Sequence, residues 1–99
     1  MNFELVASEI FLEQVRKLPL KHKKQIEKKI GLIKQNPLRF KAIRSQRFSR
    51  VFRIRLNMEG RETRLIYVIL GSKIILACLL GRSKEYTDLE AYLSRIGSE

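Results

Sequence analysis

Val51-Phe52-Arg53-Ile54-Arg55-Leu56, then Glu62-Thr63-Arg64-Leu65-Ile66-Tyr67-Val68-Ile69-Leu70, then Lys73-Ile74-Ile75-Leu76-Ala77-Cys78-Leu79-Leu80 follow one another in the second half of the chain. In the first segment Phe52, Ile54 and Leu56 alternate with Val51, Arg53 and Arg55, the two-residue period of a strand. The second and third are almost continuously apolar, which suits central strands covered on both faces. Asn57 to Arg61, with Gly60, reads as a hairpin loop, and Gly71-Ser72 as a tight turn. Three antiparallel strands are therefore expected between Val51 and Leu80.

Outward from this meander the chain reads as helices and one more strand. Asn2 to Ala7 is a short opening strand in which Phe3 and Leu5 alternate with polar neighbours. Ser8 is an N-cap for a helix to about Leu18, with Phe11, Leu12, Val15 and Leu18 on one face. After Pro19 a second helix runs from about Leu20 to Gln35, its stripe set by Ile26, Ile30 and Ile33, and Asn36-Pro37 ends it. Its Lys23, Lys24, Lys28, Lys29 and Lys34 occupy the other faces. Leu38 to Ser49 is irregular and reads mostly as loop, although Lys41, Arg44, Arg47, Arg50 and Arg53 recur every three residues and would also suit a basic helix. Thr87 with Glu90 makes a capping-box pattern for a last helix carrying Leu89, Leu93 and Ile96, with Gly97 as a stop. The order is α+β in a single domain over residues 1–99, with two N-terminal helices in a hairpin and a short C-terminal helix.

The charge is unevenly distributed. Of a formal net charge of +11, the window from Lys21 to Arg55 holds thirteen basic residues against one acid, and no acid lies between Glu27 and Glu59. Like charges repel and favour expansion, so folding alone gives no reason for this concentration. A polyanionic partner does, with RNA or DNA first in line. The longest apolar run, Ile74 to Leu80, is too short to span a bilayer, and no signal-peptide pattern opens the chain, so a cytoplasmic protein is expected. The basic window lacks the apolar face of an interfacial helix, so no membrane partner is expected.

One cysteine and one histidine exclude an internal disulfide and an all-protein Cys/His zinc site. Cys78, between aliphatic residues, reads as a small buried hydrophobe, and His22, in a lysine run, as a solvated surface residue. The residues left for chemistry are cationic. Arg53 and Arg55 share the strand face opposite Phe52, Ile54 and Leu56, and Arg64 opens the next strand of the same hairpin. Arg82 follows the third strand, and Tyr86 comes four residues later. Guanidiniums gathered on one face could bind a phosphate and stabilise charge developing in a phosphoryl transfer. The acid/base groups would be Tyr86, Lys84 or a guanidinium acting only as a proton-sharing donor. Arginine stays protonated in proteins, so by residue type Tyr86 is the credible base, its phenolate favoured by neighbouring cations. Plainer readings stand beside these. Arg53 and Arg55 also fit the solvated face of a strand, Tyr86 a hydrophobic staple onto Ala91, and Arg82 and Lys84 ordinary surface charge.

The segments Val51-Phe52-Arg53-Ile54-Arg55-Leu56, Thr63-Arg64-Leu65-Ile66-Tyr67 and Leu80-Gly81-Arg82-Ser83-Lys84-Glu85-Tyr86 resemble the RelE/ParE superfamily of toxins, RelE-like branch. The resemblance extends over nearly the whole chain, including the lysine-rich helical hairpin and the Asn36-Pro37 break. It implies a microbial-RNase-like fold and an mRNA interferase that cuts mRNA in the ribosomal A site. There the substrate's own 2′-OH attacks the adjacent phosphate and leaves a 2′,3′-cyclic phosphate, with no metal and no cofactor.

On the matching positions the resemblance assigns phosphate contact and orientation to Arg53 and Arg55, transition-state stabilisation to Arg64 and assistance to the leaving oxygen to Arg82. Tyr86 would stack on a base or assist proton removal. Lys41, Arg44, Arg47, Arg50 and Lys84 are the expected RNA-binding set. The branch's best-known member has lysines where this chain has Arg53 and Arg55, which moves the general-base role away from the strand. The implied partners are the ribosome with its mRNA and a RelB-like antitoxin. Two other functions fit the same charge pattern: a ParE-like toxin that poisons a topoisomerase, and a noncatalytic RNA- or ribosome-binding module.

Overall fold

The computed structural model describes residues 2–81 and 86–96. Its elements are β1 (Glu4–Ala7), α1 (Glu9–Arg16), α2 (Leu20–Gln35), β2 (Lys41–Ile43), β3 (Val51–Met58), β4 (Arg61–Leu70), β5 (Lys73–Gly81) and α3 (Tyr86–Ser94). The strands form one five-stranded sheet in the order β1-β5-β4-β3-β2, antiparallel except where β1 runs parallel to β5. The expected α+β architecture and the central meander are both present.

Both hairpin turns are set by backbone chemistry. Met58 pairs with Arg61, so the first loop is only Glu59 and Gly60, both with positive φ (54° and 77°), as a type I′ turn requires. The side chain of Asn57 stabilises it, accepting from the Gly60 amide at 2.8 Å. In the second loop Gly71 takes φ 57° at the first central position.

The sheet is covered on both faces, which explains the unbroken apolar character of β4 and β5. One cluster joins Phe11, Ile26 and Ile33 of the helices to Ile54, Leu65 and Tyr67 of the sheet. The other lies under α3 and the β2–β3 loop, where Leu89, Leu93 and Phe48 meet Ile66, Val68 and Leu80. The alternation shifts frame once in β5. Ile66 is paired with Cys78 but Tyr67 with Leu76, so Ala77 is an extra residue in a β-bulge, and Ala77 and Cys78 join the same cluster.

β1 is too short to cover all of β5, and α1 completes the edge. Ser8 caps α1 by accepting from the Phe11 amide at 3.0 Å, and its hydroxyl donates to the bulge carbonyl of Ala77 at 2.7 Å. Further along, the Gln14 amide imitates a missing strand. It donates to the Leu79 carbonyl at 3.0 Å and accepts from the Leu79 N–H at 2.7 Å. Backbone groups that would otherwise invite another chain are thereby satisfied.

The expectations for Leu12 and His22 are corrected, and that for Leu38 to Ser49 is refined. Leu12 is 56% exposed, because α1 seats Phe11 and Val15 on the sheet and Leu12 turns away from them. The segment from Leu38 to Ser49 is mostly loop, as expected, and not a basic helix, but Lys41–Ile43 within it pairs with Val51–Arg53 as β2. The cap expected of the Thr87 side chain lies outside the described residues, while Glu90 accepts from the Gln46 amide at 3.2 Å, tying α3 to the β2–β3 loop.

His22 is buried rather than solvated. The Gln25 amide donates to the Asn57 carbonyl at 2.8 Å, so its oxygen is the acceptor for His22 Nδ1 at 2.7 Å, and that nitrogen carries the proton. Nε2 lies 3.4 Å from Glu59 Oε1. This relay ties the first turn of α2 to the β3–β4 turn. His22→Ala is expected to cost about 2 kcal/mol, from a lost hydrogen bond and an unfilled site. A urea midpoint equal to that of the parent protein would show that the relay contributes nothing.

Cys78 is fully buried, as its neighbours imply, and burial pushes its thiol up to about 12. No helix among the described residues is long and apolar enough to cross a membrane.

Candidate active site

The face of the sheet under α3 changes character along the strands. Its first cross-strand row is Ile43, Val51 and Val68, closed over by Phe48 and α3. The next row places Lys41 opposite Arg53, which in turn faces Ile66 and then Cys78. The row after that places Arg55 directly opposite Arg64, with Leu80 beyond. Partners across an antiparallel ladder point to the same face with Cα atoms about 4.5–5.5 Å apart, and successive rows on one face are roughly 7 Å apart. Lys41, Arg53, Arg55 and Arg64 therefore form a staggered array of two cationic pairs across β2, β3 and β4, beyond the apolar end of this face.

The four cations differ in setting. Arg53 is 8% exposed, so its guanidinium is held among neighbours rather than solvated, which removes the plain surface reading for that residue. Arg55 reaches outward, its side chain 59% exposed, and its Nε lies 3.6 Å from Glu62 Oε1. Arg64 is half-buried, and its Nε is buried without a hydrogen-bond partner among the described residues. An unpaired buried donor beside a directly opposed like charge is unfavourable twice over. An anion seated between Arg55 and Arg64 would relieve both, which is the chemistry expected of a phosphate site.

Two features lie outside the sequence reading. Glu62 stands two residues before Arg64 on β4 and so shares its face, bringing a carboxylate to the edge of the array. Its only sequence signal is that spacing, which cannot be told from an ordinary strand end. The second is a groove of about 1940 Å³ between α2 and the β3–β4 hairpin, lined by Lys28, Lys29 and Arg61 and reaching the array at Arg55 and Glu62.

The other expected residues are placed differently. Arg44, Arg47 and Arg50 are exposed in the β2–β3 loop, beyond the Ile43–Val51 pair and at the far end of the face from Arg55 and Arg64. Of the expected RNA-binding residues that are described, only Lys41 joins the array. Their three-residue rhythm is not helical, because the chain reverses between Ile43 and Val51. Arg82 and Lys84 lie outside the described residues, as does the side chain of Tyr86, whose backbone opens α3. The buried Tyr67 is no substitute for Tyr86, because desolvation pushes its phenol up and its hydroxyl donates to the Pro37 carbonyl at 2.5 Å.

No family model matches the chain, and no curated protein matches it in sequence. Solved structures do match. A free, arginine-substituted variant of the E. coli toxin RelE superimposes with a TM-score of 0.73 and 22% identity, covering 97% of this chain and 99% of that one. RelE in the intact E. coli RelBE toxin–antitoxin complex gives 0.66 and 21% identity, over 84% and 99% of the two chains. The isolated E. coli RelE toxin gives 0.63 and 21%, over 95% and 98%. The chain thus has the fold of the toxin RelE over nearly its whole length.

Proposed function

We propose that this protein is the toxin of a toxin–antitoxin pair and acts as a ribosome-dependent endoribonuclease on mRNA. The observation that carries the reading is the convergence of Lys41, Arg53, Arg55 and Arg64 at one end of one sheet face. Attack by a 2′-OH on the neighbouring phosphate builds negative charge on the phosphoryl oxygens. Fixed guanidiniums stabilise that charge more in the transition state than in the ground state. Arg53 and Arg55 would hold the phosphate, and Arg64, with its unsatisfied Nε, would meet the charge that develops. Arg82 would assist the leaving 5′-oxygen and Tyr86 would stack on a base.

Structures similar in fold include RelE bound to its antitoxin RelB. An acidic, RelB-like antitoxin is accordingly the proposed partner here, competing with RNA for the same cationic surface.

Primer extension on mRNA held in programmed ribosomes tests the reading. We expect a cut within the A-site codon that naked mRNA does not show. An intact ribosome complex without any cut would overturn the nuclease reading and direct attention to topoisomerase inhibition or noncatalytic binding.

A further inference from the structure

Any such cleavage needs a group to accept the 2′-OH proton, and the arginines of the array, which stay protonated, cannot supply one. Among the described residues, the carboxylate ion-paired with the array is that of Glu62, at 3.6 Å from Arg55 Nε. Its side chain is 29% exposed, open enough to meet substrate and shielded enough to be held in place. Glu62 and Arg64 are two residues apart on β4, on the face that also presents Arg55. A phosphate seated between Arg55 and Arg64 would therefore lie beside this carboxylate. The 2′-OH that attacks such a phosphate belongs to the ribose joined to it through O3′, so a carboxylate beside the phosphate can reach its proton.

From this geometry we propose that Glu62 is the general base of the reaction, taking the proton of the attacking 2′-OH while Arg55 fixes its carboxylate. The inference rests on the reading of the protein as an endoribonuclease. In the step, the O2′–P bond forms as the 2′-OH proton passes to Glu62, and the P–O5′ bond breaks with its electron pair leaving on the 5′-oxygen. That oxygen takes a proton from water or from a cationic side chain. The protonated Glu62 then returns its proton to solvent, leaving a 2′,3′-cyclic phosphate and a 5′-hydroxyl. Arg55 acts here as a positioning residue as well as a phosphate contact. Among the described residues, Arg55 and Arg64 share its sheet face, and the groove that Glu62 lines also holds Glu59 and Arg61 of the hairpin and His22, Lys28 and Lys29 of α2.

Single-turnover cleavage on programmed ribosomes, measured as a function of pH, tests the assignment with Glu62→Gln and Glu62→Asp. Glu62→Gln keeps the shape and the hydrogen-bonding oxygen toward Arg55, so thermal unfolding should match that of the parent. Its rate is expected to fall on the order of 10²–10⁴-fold at neutral pH. The acid limb of the profile should vanish, while binding of an mRNA with a 2′-deoxy nucleotide at the cut site is retained or tightened. Glu62→Asp should recover part of the rate together with the acid limb. A Glu62→Gln protein that cuts at the parental rate with its acid limb intact would overturn the proposal. So would a loss of rate matched by an equal loss of binding, since that describes a charge that only balances the array. Failure of the parent protein itself to cut would instead overturn the nuclease reading, and the role of Glu62 with it.

Discussion

Replacing Arg64 by methionine is expected to reduce ribosome-dependent cleavage on the order of 10²–10³-fold without lowering thermal stability. The two halves of this result have a common cause. Arg64 faces Arg55 directly across the β3–β4 ladder, and its Nε is buried with no partner among the described residues. Like charges directly opposed in a sheet, and buried donors left unsatisfied, each destabilise a fold by roughly 1 kcal/mol or more. Methionine keeps most of the apolar stem that packs on the sheet and removes both penalties, so the melting temperature should hold or rise. Loss of a preorganised donor to the developing phosphoryl charge has the opposite effect on rate, with the magnitude typical of such donors. A residue that costs stability and supplies activity is a signature of a functional site. The checking measurements are single-turnover cleavage and a melting curve on the same preparation. Unchanged cleavage would place Arg64 outside the reaction. A melting temperature lowered by several degrees would mean that its guanidinium has a structural partner after all.

The legible part of this fold was carried by periodicity. Alternation at Phe52, Ile54 and Leu56, the 3.6-residue stripe of Ile26, Ile30 and Ile33, and the Ser8 cap each act over a few residues, so local sequence is sufficient to reveal them. What stayed hidden depends on partners distant in the chain. β2 is three residues long and exists because Lys41–Ile43 can add to the edge of β3, a long-range pairing with no local pattern. The Ala77 bulge is equally non-local, since its carbonyl is used by Ser8, 69 residues away. His22 looked solvated because its sequence neighbours are lysines. Helical geometry turns those lysines elsewhere while His22 closes against the β3–β4 turn.

The candidate site divides along the same line. Arg53 and Arg55 on one face followed from strand period alone, and Arg64 from the shortness of the hairpin. The pairing of Lys41 with Arg53 and the approach of Glu62 to Arg55 needed the register. A basic residue every three positions from Lys41 to Arg53 proved to be a coincidence of a chain reversal. Those cations are divided between the array and the far loop, so charge density in sequence overstated how many of them could act on one phosphate.

Tyr67 ties the connection after α2 to the sheet, and removing its ring is expected to cost about 4 kcal/mol. It is fully buried, stacked on Phe52 with ring centroids 5.4 Å apart at 17°, and its hydroxyl donates to the Pro37 carbonyl at 2.5 Å. Pro37 is itself buried and marks the end of the α2 connection, so this one bond fixes where the chain enters β2. Two separate substitutions divide the contributions. Tyr67→Phe keeps the ring and leaves a buried carbonyl unsatisfied, for an expected loss of about 1–2 kcal/mol. Tyr67→Ala adds the cavity and the lost aromatic contact, in the range of about 3–5 kcal/mol seen for large aromatic truncations. Against a total stability of about 5–15 kcal/mol for a domain of this kind, the second change approaches the threshold of folding. Urea denaturation of the three proteins gives the comparison directly. If Tyr67→Phe unfolds at the parental midpoint, the Pro37 contact contributes nothing net, and the entry to β2 must be held by the Lys41–Arg53 ladder alone.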